Sequence, residues 1–246
     1  MKILIVNDDG YQAEGLKILI ELLKPLGQLY VLAPKKHHSG MSNAITIRKK
    51  IKIKEIFYPG VIKAYRINGY PADCTRMSEV LFKGIKFDLF VSGINEGANI
   101  GSNIIHSGTV GAAVEALYLK IPAIAVSSPF LKYSNAKKYT LSIIKTLVAN
   151  ELVSSDYLLN INYPLEDSTP KGIYFAHQGI NYSPNEFIIK GNNYYPTYTR
   201  RAINEDKNSD VYGYFNNYIT IAPLVQERTR TKILNILKEN EVKFTL

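Results

Sequence analysis

Four short apolar segments in the first half of the chain constrain its fold more than any other feature. They cover residues 3–7, 29–33, 88–92 and 123–127. Each is too short for a packed helix and is bounded by glycine, proline or polar residues, which favours buried strands. Segments with helical periodicity separate them. This alternation predicts an α/β fold with a mostly parallel sheet flanked by helices.

The helical segments repeat their apolar residues every three to four positions. In the first of them, Leu16, Leu19, Ile20 and Leu23 share one face. The predicted helices cover residues 13–24, 72–82, 110–119 and 136–150. Between residues 45 and 67, apolar and polar residues alternate around Pro59-Gly60, which predicts a β-hairpin.

The composition changes in the second half of the chain. We assign residues 1–130 to a catalytic core and residues 131–246 to a C-terminal part that completes this core. In the C-terminal part, the predicted helix over 136–150 is followed by a predicted strand over 157–161. Residues 170–222 are rich in Tyr, Asn and Gly, which predicts β-ribbons and long loops. A closing amphipathic helix is predicted over 227–238, with its apolar residues inward: Ile233, Leu234 and Leu237.

The tyrosines of this second half allow two interpretations. They either form a subunit interface, where aromatic residues are enriched, or line a substrate pocket. The residues in question are Tyr182, Tyr194, Tyr195, Tyr198, Tyr212 and Tyr214.

Composition narrows the class of protein. With 46% hydrophobic residues, the chain can bury a core without disulfides, and its single Cys74 cannot form one internally. We expect no secretory signal and no membrane span, and therefore a cytoplasmic protein. The net charge of +9 is dispersed and is compatible with anionic small substrates or simply with a solvated lysine-rich surface. Because no nucleic-acid-binding motif accompanies it, we expect no stable nucleic-acid complex.

Polar residues follow the predicted strands, and the carboxyl ends of parallel strands share one edge of a sheet. The pair Asp8-Asp9 follows the first strand. Two adjacent carboxylates repel each other, and a divalent cation with oxygen ligands would offset that repulsion. An Asp-Asp-Gly turn that caps the next helix explains the same residues, and both interpretations remain open.

A phosphate site is predicted at the start of the helix that begins near residue 110. Ser107, Gly108 and Thr109 precede this helix, where free N–H groups and the helix dipole attract anions. Ordinary helix capping is the alternative. The glycine-rich stretch 93–101 matches neither the Walker nor the dinucleotide pattern. The carboxylate pair Asp8-Asp9 and the phosphate site at the helix start together indicate metal-assisted phosphoryl chemistry. Because the two carboxylates are adjacent and not spaced as D-x-D, direct attack by water is favoured over an aspartyl-phosphate intermediate.

Two other classes of function stay open at this point. A nucleotide-binding module without turnover would share the phosphate loops but need no metal. A nucleic-acid binder would use the positive charge and the tyrosines.

Several motifs in order give the chain a family resemblance. They span nearly its whole length: 3–10 (ILIVNDDG), 33–34 (AP), 39–40 (SG), 43–46 (NAIT), 69–74 (GYPADC), 92–110 (SGIN to SGTV), 159–162 (LNIN) and 219–224 (ITIAPL). The chain resembles the SurE family, stationary-phase survival proteins that are acid-tolerant nucleotidases. The resemblance implies a Rossmann-like core, a smaller β-rich C-terminal part and assembly into homodimers or homotetramers.

The resemblance also implies a metal site and a reaction. One divalent ion, Mg²⁺ or Mn²⁺, would be held by Asp8, Asp9, Ser39 and Asn95. Asp8 or Asp9 is the predicted catalytic base. The implied substrates are nucleoside 5′- and 3′-monophosphates, with polyphosphate as a possible side substrate. The predicted phosphate and substrate contacts are Asn43, Asn99, Ser107, Gly108 and Thr109.

The chain departs from the family pattern at three places near this site. Asn103 stands where the family usually has Asp, and His106 stands where Tyr is frequent. Residues 36–38, Lys-His-His, replace a run that is usually acidic and Arg-containing. These departures predict altered contacts and pH preference.

Overall fold

A nine-stranded sheet forms the centre of the part of the chain that the structure, a computed structural model, describes: residues 1–166, 168–180, 186–197 and 206–239. Its strand order is β3-β4-β2-β1-β5-β6-β7-β11-β8. The strands are β1 Lys2–Val6, β2 Gln28–Pro34, β3 Ile53–Ile56, β4 Lys63–Ile67, β5 Leu89–Glu96, β6 Ala123–Ser128, β7 Leu158–Asn162, β8 Ile173–Phe175 and β11 Ile219–Leu224. A separate antiparallel ribbon pairs β9 (Glu186–Lys190) with β10 (Asn193–Thr197).

The sheet is mostly parallel. The six neighbouring strands from β4 to β7 all run in one direction, while β3 pairs antiparallel with β4 and β11 antiparallel with β7. The carboxyl ends of β1, β2 and β5 therefore meet at one edge. The predicted α/β fold class, with its smaller β-rich C-terminal element, is confirmed.

Helices cover both faces of the sheet. Four of them do so: α1 Glu14–Leu23, α2 Pro71–Leu81, α3 Gly108–Tyr118 and α4 Ser134–Ala149. The other two helices are α5 Asp210–Phe215 and α6 Thr231–Glu239, of which α6 is exposed along residues 231–238. Side chains alternate along each strand, so Ile3 and Ile5 pack with α1 and α4, whereas Leu4 and Val6 pack with α2 and α3. Burial on both faces explains why these strands are continuous apolar runs.

The hairpin prediction over 45–67 is only partly right. The strands begin at Ile53, and residues 45–51 lie outside regular strand. One hydrogen bond and one backbone angle explain the difference. The backbone N–H of Thr46 donates to Asp73 over 2.9 Å, and Arg48 adopts a positive φ of 60°, so neither residue continues a strand ladder.

The closing helix is shorter than predicted and its orientation was predicted wrongly. It covers Thr231–Glu239, and its apolar side chains Ile233, Leu234 and Leu237 are exposed. Hydrophobic periodicity shows that a helix has an apolar face, but it does not show what covers that face.

The tyrosines of the C-terminal part have different environments. Tyr194 and Tyr195 lie exposed on the ribbon, whereas Tyr214 is buried in its own chain beside Ile100 and Val211. Tyr182 and Tyr198 lie outside the described residues. Within the described residues, the helices are too short or too polar to cross a membrane.

Candidate metal and phosphate site

Asp8 lies buried between the end of β1 and the first turn of α3. Its backbone oxygen accepts a hydrogen bond from His38 N over 2.8 Å, which seats the loop after β2 beside it. The Thr109 hydroxyl donates to Asp8 Oδ1 over 2.5 Å. A Cβ on Gly108 would lie 2.9 Å from Asp8 Cβ, so the close approach of α3 to this carboxylate requires a glycine.

Asp9 points toward β5 and the loop after β2. Its Oδ2 accepts a hydrogen bond from Glu96 N over 3.1 Å. Its Oδ1 is buried without a hydrogen-bond partner, although His37 Nδ1 lies 3.2 Å away in ion-pair range. The His37 contact meets the distance for an ion pair but not the geometry of a hydrogen bond, so Oδ1 is an unsatisfied acceptor.

The electrostatics of the two carboxylates favour an additional positive charge. Burial and then the charge of Asp8 raise the pKa of Asp9 to about 6. Burial also raises the pKa of Asp8, against the lowering effect of the Thr109 hydrogen bond. Two adjacent carboxyl groups are thus held out of water, and Oδ1 of Asp9 has no hydrogen-bond partner. This arrangement and its all-oxygen donor set fit a hard divalent cation.

The other two predicted ligands reach the same edge from different strands. Asn95 is buried near the end of β5, and its amide nitrogen donates to Gly97 O over 2.6 Å, so its amide oxygen is the atom that could contact a cation. Ser39 is exposed and follows directly after His38. The described residues contain no cluster of three His, Cys, Asp or Glu side chains arranged for a metal, so a cation here would also need hydroxyl and amide oxygens.

At the predicted phosphate end, both hydroxyl groups already have partners inside the protein. Ser107 caps α3, because its Oγ accepts a hydrogen bond from Val110 N over 3.1 Å. Thr109 uses its hydroxyl on Asp8. The capping interpretation of Ser107 is therefore correct, and a phosphate would bind through the N–H groups that open the helix.

Asn43 reaches α3 from the loop after β2. Its Oδ1 lies 3.1 Å from the position of a Cβ on Gly111. The same loop is fixed by Ser42, whose N–H donates to His106 O over 3.0 Å and whose hydroxyl donates to Ile105 O over 2.7 Å. The structure thus places Asn43 beside the start of α3.

Asn99 braces the loop after β5. Its amide nitrogen donates to Ser127 Oγ over 2.8 Å, and its backbone N–H donates to Asn162 Oδ1 over 2.7 Å. Its carbonyl oxygen accepts from Asn160 Nδ2 over 2.8 Å. These contacts tie the loop to β6 and β7. The predicted substrate contact of Asn99 stays a prediction.

Asp73, for which the sequence motifs predicted no role, holds two segments next to the site together by hydrogen bonds. It accepts hydrogen bonds from Thr46 N, from Thr46 Oγ1 over 2.6 Å and from Tyr70 N over 2.9 Å. It thereby joins the start of α2 to the residues just after Asn43. An acidic residue three positions after a helix start is the sequence signal that would have indicated it.

The departures from the family pattern lie on the rim of the site. Asn103 and His106 are both exposed on the 3₁₀ helix Gly101–His106. His38 is half-buried and meets the Tyr70 ring edge-on at 5.2 Å. Of the three departures from the family pattern, the 36–38 run is the one whose described contacts include the aspartates: His37 lies beside Asp9, and His38 binds Asp8.

A groove of 660 Å³ lies elsewhere, between α1 and β3. Tyr11, Lys17, Lys54 and Tyr58 line it, but neither aspartate does. The carboxylates and the helix start that suit a metal and a phosphate lie instead at the carboxyl edge of the sheet.

Comparison with known proteins gives consistent results. The family model described as survival protein SurE matches residues 3–185. A 5′-nucleotidase SurE from Clostridium botulinum (strain Loch Maree / Type A3) is 37% identical over 256 residues, 99% of each chain. A 5′-nucleotidase SurE from Alkaliphilus metalliredigens is 38% identical over 250 residues, 97% of this chain and 98% of the relative. The crystal structure of the SurE protein from Aquifex aeolicus superposes with a TM-score of 0.85 at 31% identity, over 98% of this chain and 100% of that one.

Proposed function

The chain belongs to the survival protein SurE family, and from this premise we propose that it is a 5′-nucleotidase. It hydrolyses nucleoside 5′-monophosphates to nucleoside and phosphate. The observation that carries the proposal is the contact of buried Asp8 with the start of α3, with the carboxylate of Asp9 next to it in the chain. This arrangement puts carboxylates beside helix N–H groups that favour phosphate.

The proposed cofactor is one divalent cation, Mg²⁺ or Mn²⁺. Its ligands would be Asp8, Asp9, Ser39 and Asn95. Bound there, the cation would polarise a phosphate oxygen and lower the pKa of a water molecule. The unpaired Oδ1 of Asp9 and the raised pKa of both carboxylates support this site.

Asp9 is the proposed general base. Asp9 accepts its hydrogen bond from the backbone N–H of Glu96, and among the described residues no side-chain hydroxyl competes with a water molecule for its carboxylate. Asp8 is less suitable, because its Oδ1 already accepts the Thr109 hydroxyl. Asp8 therefore serves as a fixed ligand, and Asp9 takes the proton from the attacking water.

The phosphate is held at the start of α3. The N–H groups of Gly108 and Thr109 stabilise the charge that develops on the phosphoryl oxygens, and the helix dipole adds to this effect. Asn43 contributes from the opposite loop. Ser107 contributes indirectly, because its capping bond to Val110 N fixes the first turn.

The substrate range extends beyond 5′-monophosphates. The proposed donors contact phosphate oxygens and not the sugar, so nucleoside 3′-monophosphates and the terminal phosphate of polyphosphate should also be accepted. The net charge of +9 assists the approach of these anions.

The active form is proposed to be a homodimer or homotetramer in the cytoplasm. The ribbon exposes Phe187, Ile188 and Ile189, and α6 exposes Ile233 and Leu237. Exposed apolar surface of this kind is typical of an interface, and a second copy of the chain is the proposed occupant. The single reduced cysteine, buried Cys74, suits a reducing compartment.

The test is phosphate release from AMP, GMP, CMP and UMP with Mn²⁺, with Mg²⁺ and with EDTA. We expect release that needs the metal and is lost in Asp8→Asn. Asp156→Asn, the same change at an exposed position, should keep wild-type activity. Release in EDTA would contradict the metal proposal, and no release under any condition from pH 5 to 8 would contradict the function.

A further inference from the structure

A buried carboxylate in the C-terminal part reaches the segment that leads into the phosphate site. Asp210, the first residue of α5, is fully buried. Its Oδ2 accepts a hydrogen bond from Gly101 N over 3.0 Å, and its Oδ1 accepts one from Gly179 N over 2.8 Å. One side chain therefore joins three segments that are far apart in sequence.

Gly101 is held at both of its polar backbone atoms. Asp210 binds its N–H, and Gln178 Nε2 donates to its carbonyl oxygen over 3.0 Å. Gly101 is buried and has a φ of 55°, a conformation that residues with side chains adopt at a cost. The two partners thus fix the start of the 3₁₀ helix Gly101–His106.

The far end of this 3₁₀ helix connects to the proposed phosphate contacts. Ser107 N donates to Ile104 O over 3.2 Å, so the cap of α3 continues directly from the 3₁₀ helix. The carbonyl oxygens of Ile105 and His106 accept the hydrogen bonds of Ser42 that seat the Asn43 loop. A shift at Gly101 would consequently move both sides of the phosphate site.

We propose that Asp210 is a positioning residue for phosphate binding, which acts through Gly101 and the 3₁₀ helix Gly101–His106. This inference rests on the proposed function of the site. Removing a carboxylate from water costs free energy. For Asp210, burial raises the pKa, and the hydrogen bonds from backbone N–H groups act in the opposite direction. An ionised carboxylate offers what this position needs, two acceptors for two N–H groups facing it from different segments.

An asparagine at this position cannot replace the carboxylate. Its amide oxygen can accept from one of the two N–H groups, but its NH₂ group would face the other donor. The Asp210→Asn variant therefore removes one bond without changing the volume of the side chain. Gln178→Ala removes the other restraint on Gly101 from an exposed position, where the fold tolerates the change.

The experiment measures phosphate binding apart from metal binding. Inorganic phosphate is titrated in the presence of Mn²⁺ by calorimetry, Mn²⁺ affinity is measured by electron paramagnetic resonance, and KM and kcat are determined for AMP. We expect about tenfold weaker phosphate binding and a matching rise in KM for both variants, the effect of losing roughly one hydrogen bond. Mn²⁺ affinity should fall less than phosphate affinity, because the hydrogen bond that Asp9 accepts from Glu96 lies outside α3, whereas only Asp8 is bound by Thr109 of that helix.

The matched control is Asp206→Asn. Asp206 pairs with His177 over 2.7 Å and lies four residues before Asp210, but it binds neither Gly101 nor Gly179 in the described contacts. Its variant should therefore weaken phosphate binding less than Asp210→Asn does, and Asp156→Asn, at an exposed position, should bind phosphate normally. Unchanged phosphate binding in both Gln178→Ala and Asp210→Asn would overturn the inference. Equal losses of phosphate and Mn²⁺ affinity together with a lower melting temperature would also overturn it, since they would show a merely structural role. If Asp210→Asn does not fold, Gln178→Ala decides alone.

Failure of the proposed function would be recognised separately. Phosphate binding is measured directly, so the comparison between variants decides on Asp210 even if the wild-type protein releases no phosphate from nucleotides. The absence of phosphate release from nucleotides would contradict only the proposed function.

Discussion

The Thr109 hydroxyl donates a hydrogen bond to Asp8 Oδ1, so the first turn of α3 and the end of β1 form one buried unit. The residue that opens the phosphate site therefore also orients a proposed metal ligand. Phosphate and cation would be held by parts of the same unit, which is what a metal-assisted phosphatase requires.

Thr109→Val removes this hydroxyl and keeps the shape of the side chain. The buried Asp8 carboxylate then loses a donor, and we expect the free energy of unfolding to fall by about 1–3 kcal/mol. Mn²⁺ affinity and kcat/KM should both fall by roughly tenfold or more. Thr109→Ser, which retains the hydroxyl, is the control. A valine variant with wild-type Mn²⁺ affinity would show that the hydrogen bond does not orient the ligand.

Gly108→Ala tests the close approach of α3 to Asp8. The added Cβ would lie 2.9 Å from Asp8 Cβ and 3.2 Å from Pro71 Cγ, so the helix or the aspartate must shift. We expect a loss of about 1–3 kcal/mol in stability and a loss of most phosphatase activity. Gly84→Ala, at an open position with a φ of 82°, should lose stability but keep its activity. Full activity in Gly108→Ala would contradict the proposed geometry.

The sequence predicted the sheet well because its signals are local. A buried parallel strand such as Ile3–Val6 is an apolar run, and polar residues that follow such strands must meet at one edge. The meeting of Asp8 with the start of α3 follows from this rule. The boundaries agree less well: β1 was predicted over 3–7 and is observed at Lys2–Val6, and β5 was predicted over 88–92 and is observed at Leu89–Glu96.

What the sequence did not predict depends on contacts between distant segments. Asp73 and Thr46 meet across 27 positions, and Asp210 and Gly101 across 109. No local pattern distinguishes Asp210 from an exposed aspartate before it is seen buried. Leu237 illustrates the same limit, because helical periodicity identified its apolar face and predicted it inward, whereas the side chain is exposed.

Ile189→Lys tests assembly through the ribbon. Ile189 lies opposite Tyr194 across β9 and β10, and both side chains are exposed. A charge on this face would have to be buried in an interface between copies, so we expect a smaller particle in light scattering coupled to gel filtration. Ile62→Lys, at an exposed isoleucine outside the ribbon, should assemble normally. Equal particle masses for both variants would exclude this face of the ribbon as the interface.

The two aspartates predict how stability depends on pH and on metal. Burial and the Asp8 charge raise the pKa of Asp9 from 3.8 in the unfolded chain to about 6. Between these values the folded state binds more protons than the unfolded state, so the stability contributed by protonated Asp9 is complete below about pH 3.8 and is lost as pH rises through about 6. A divalent cation reverses this loss, because it binds the ionised pair.

The contribution of Asp9 should therefore lower the melting temperature of the metal-free protein as the pH rises from 5 to 7.5. Added Mn²⁺ should raise the melting temperature more at pH 7.5 than at pH 5. Asp9→Asn removes the titrating group and should melt higher than the wild type at pH 7.5 without metal. The same variant should gain little from Mn²⁺, whereas the exposed control Asp156→Asn should behave as the wild type does. A Mn²⁺ effect that is as large at pH 5 as at pH 7.5 would mean that the cation is not held by carboxylates of raised pKa. The proposed site at Asp8 and Asp9 would then be wrong.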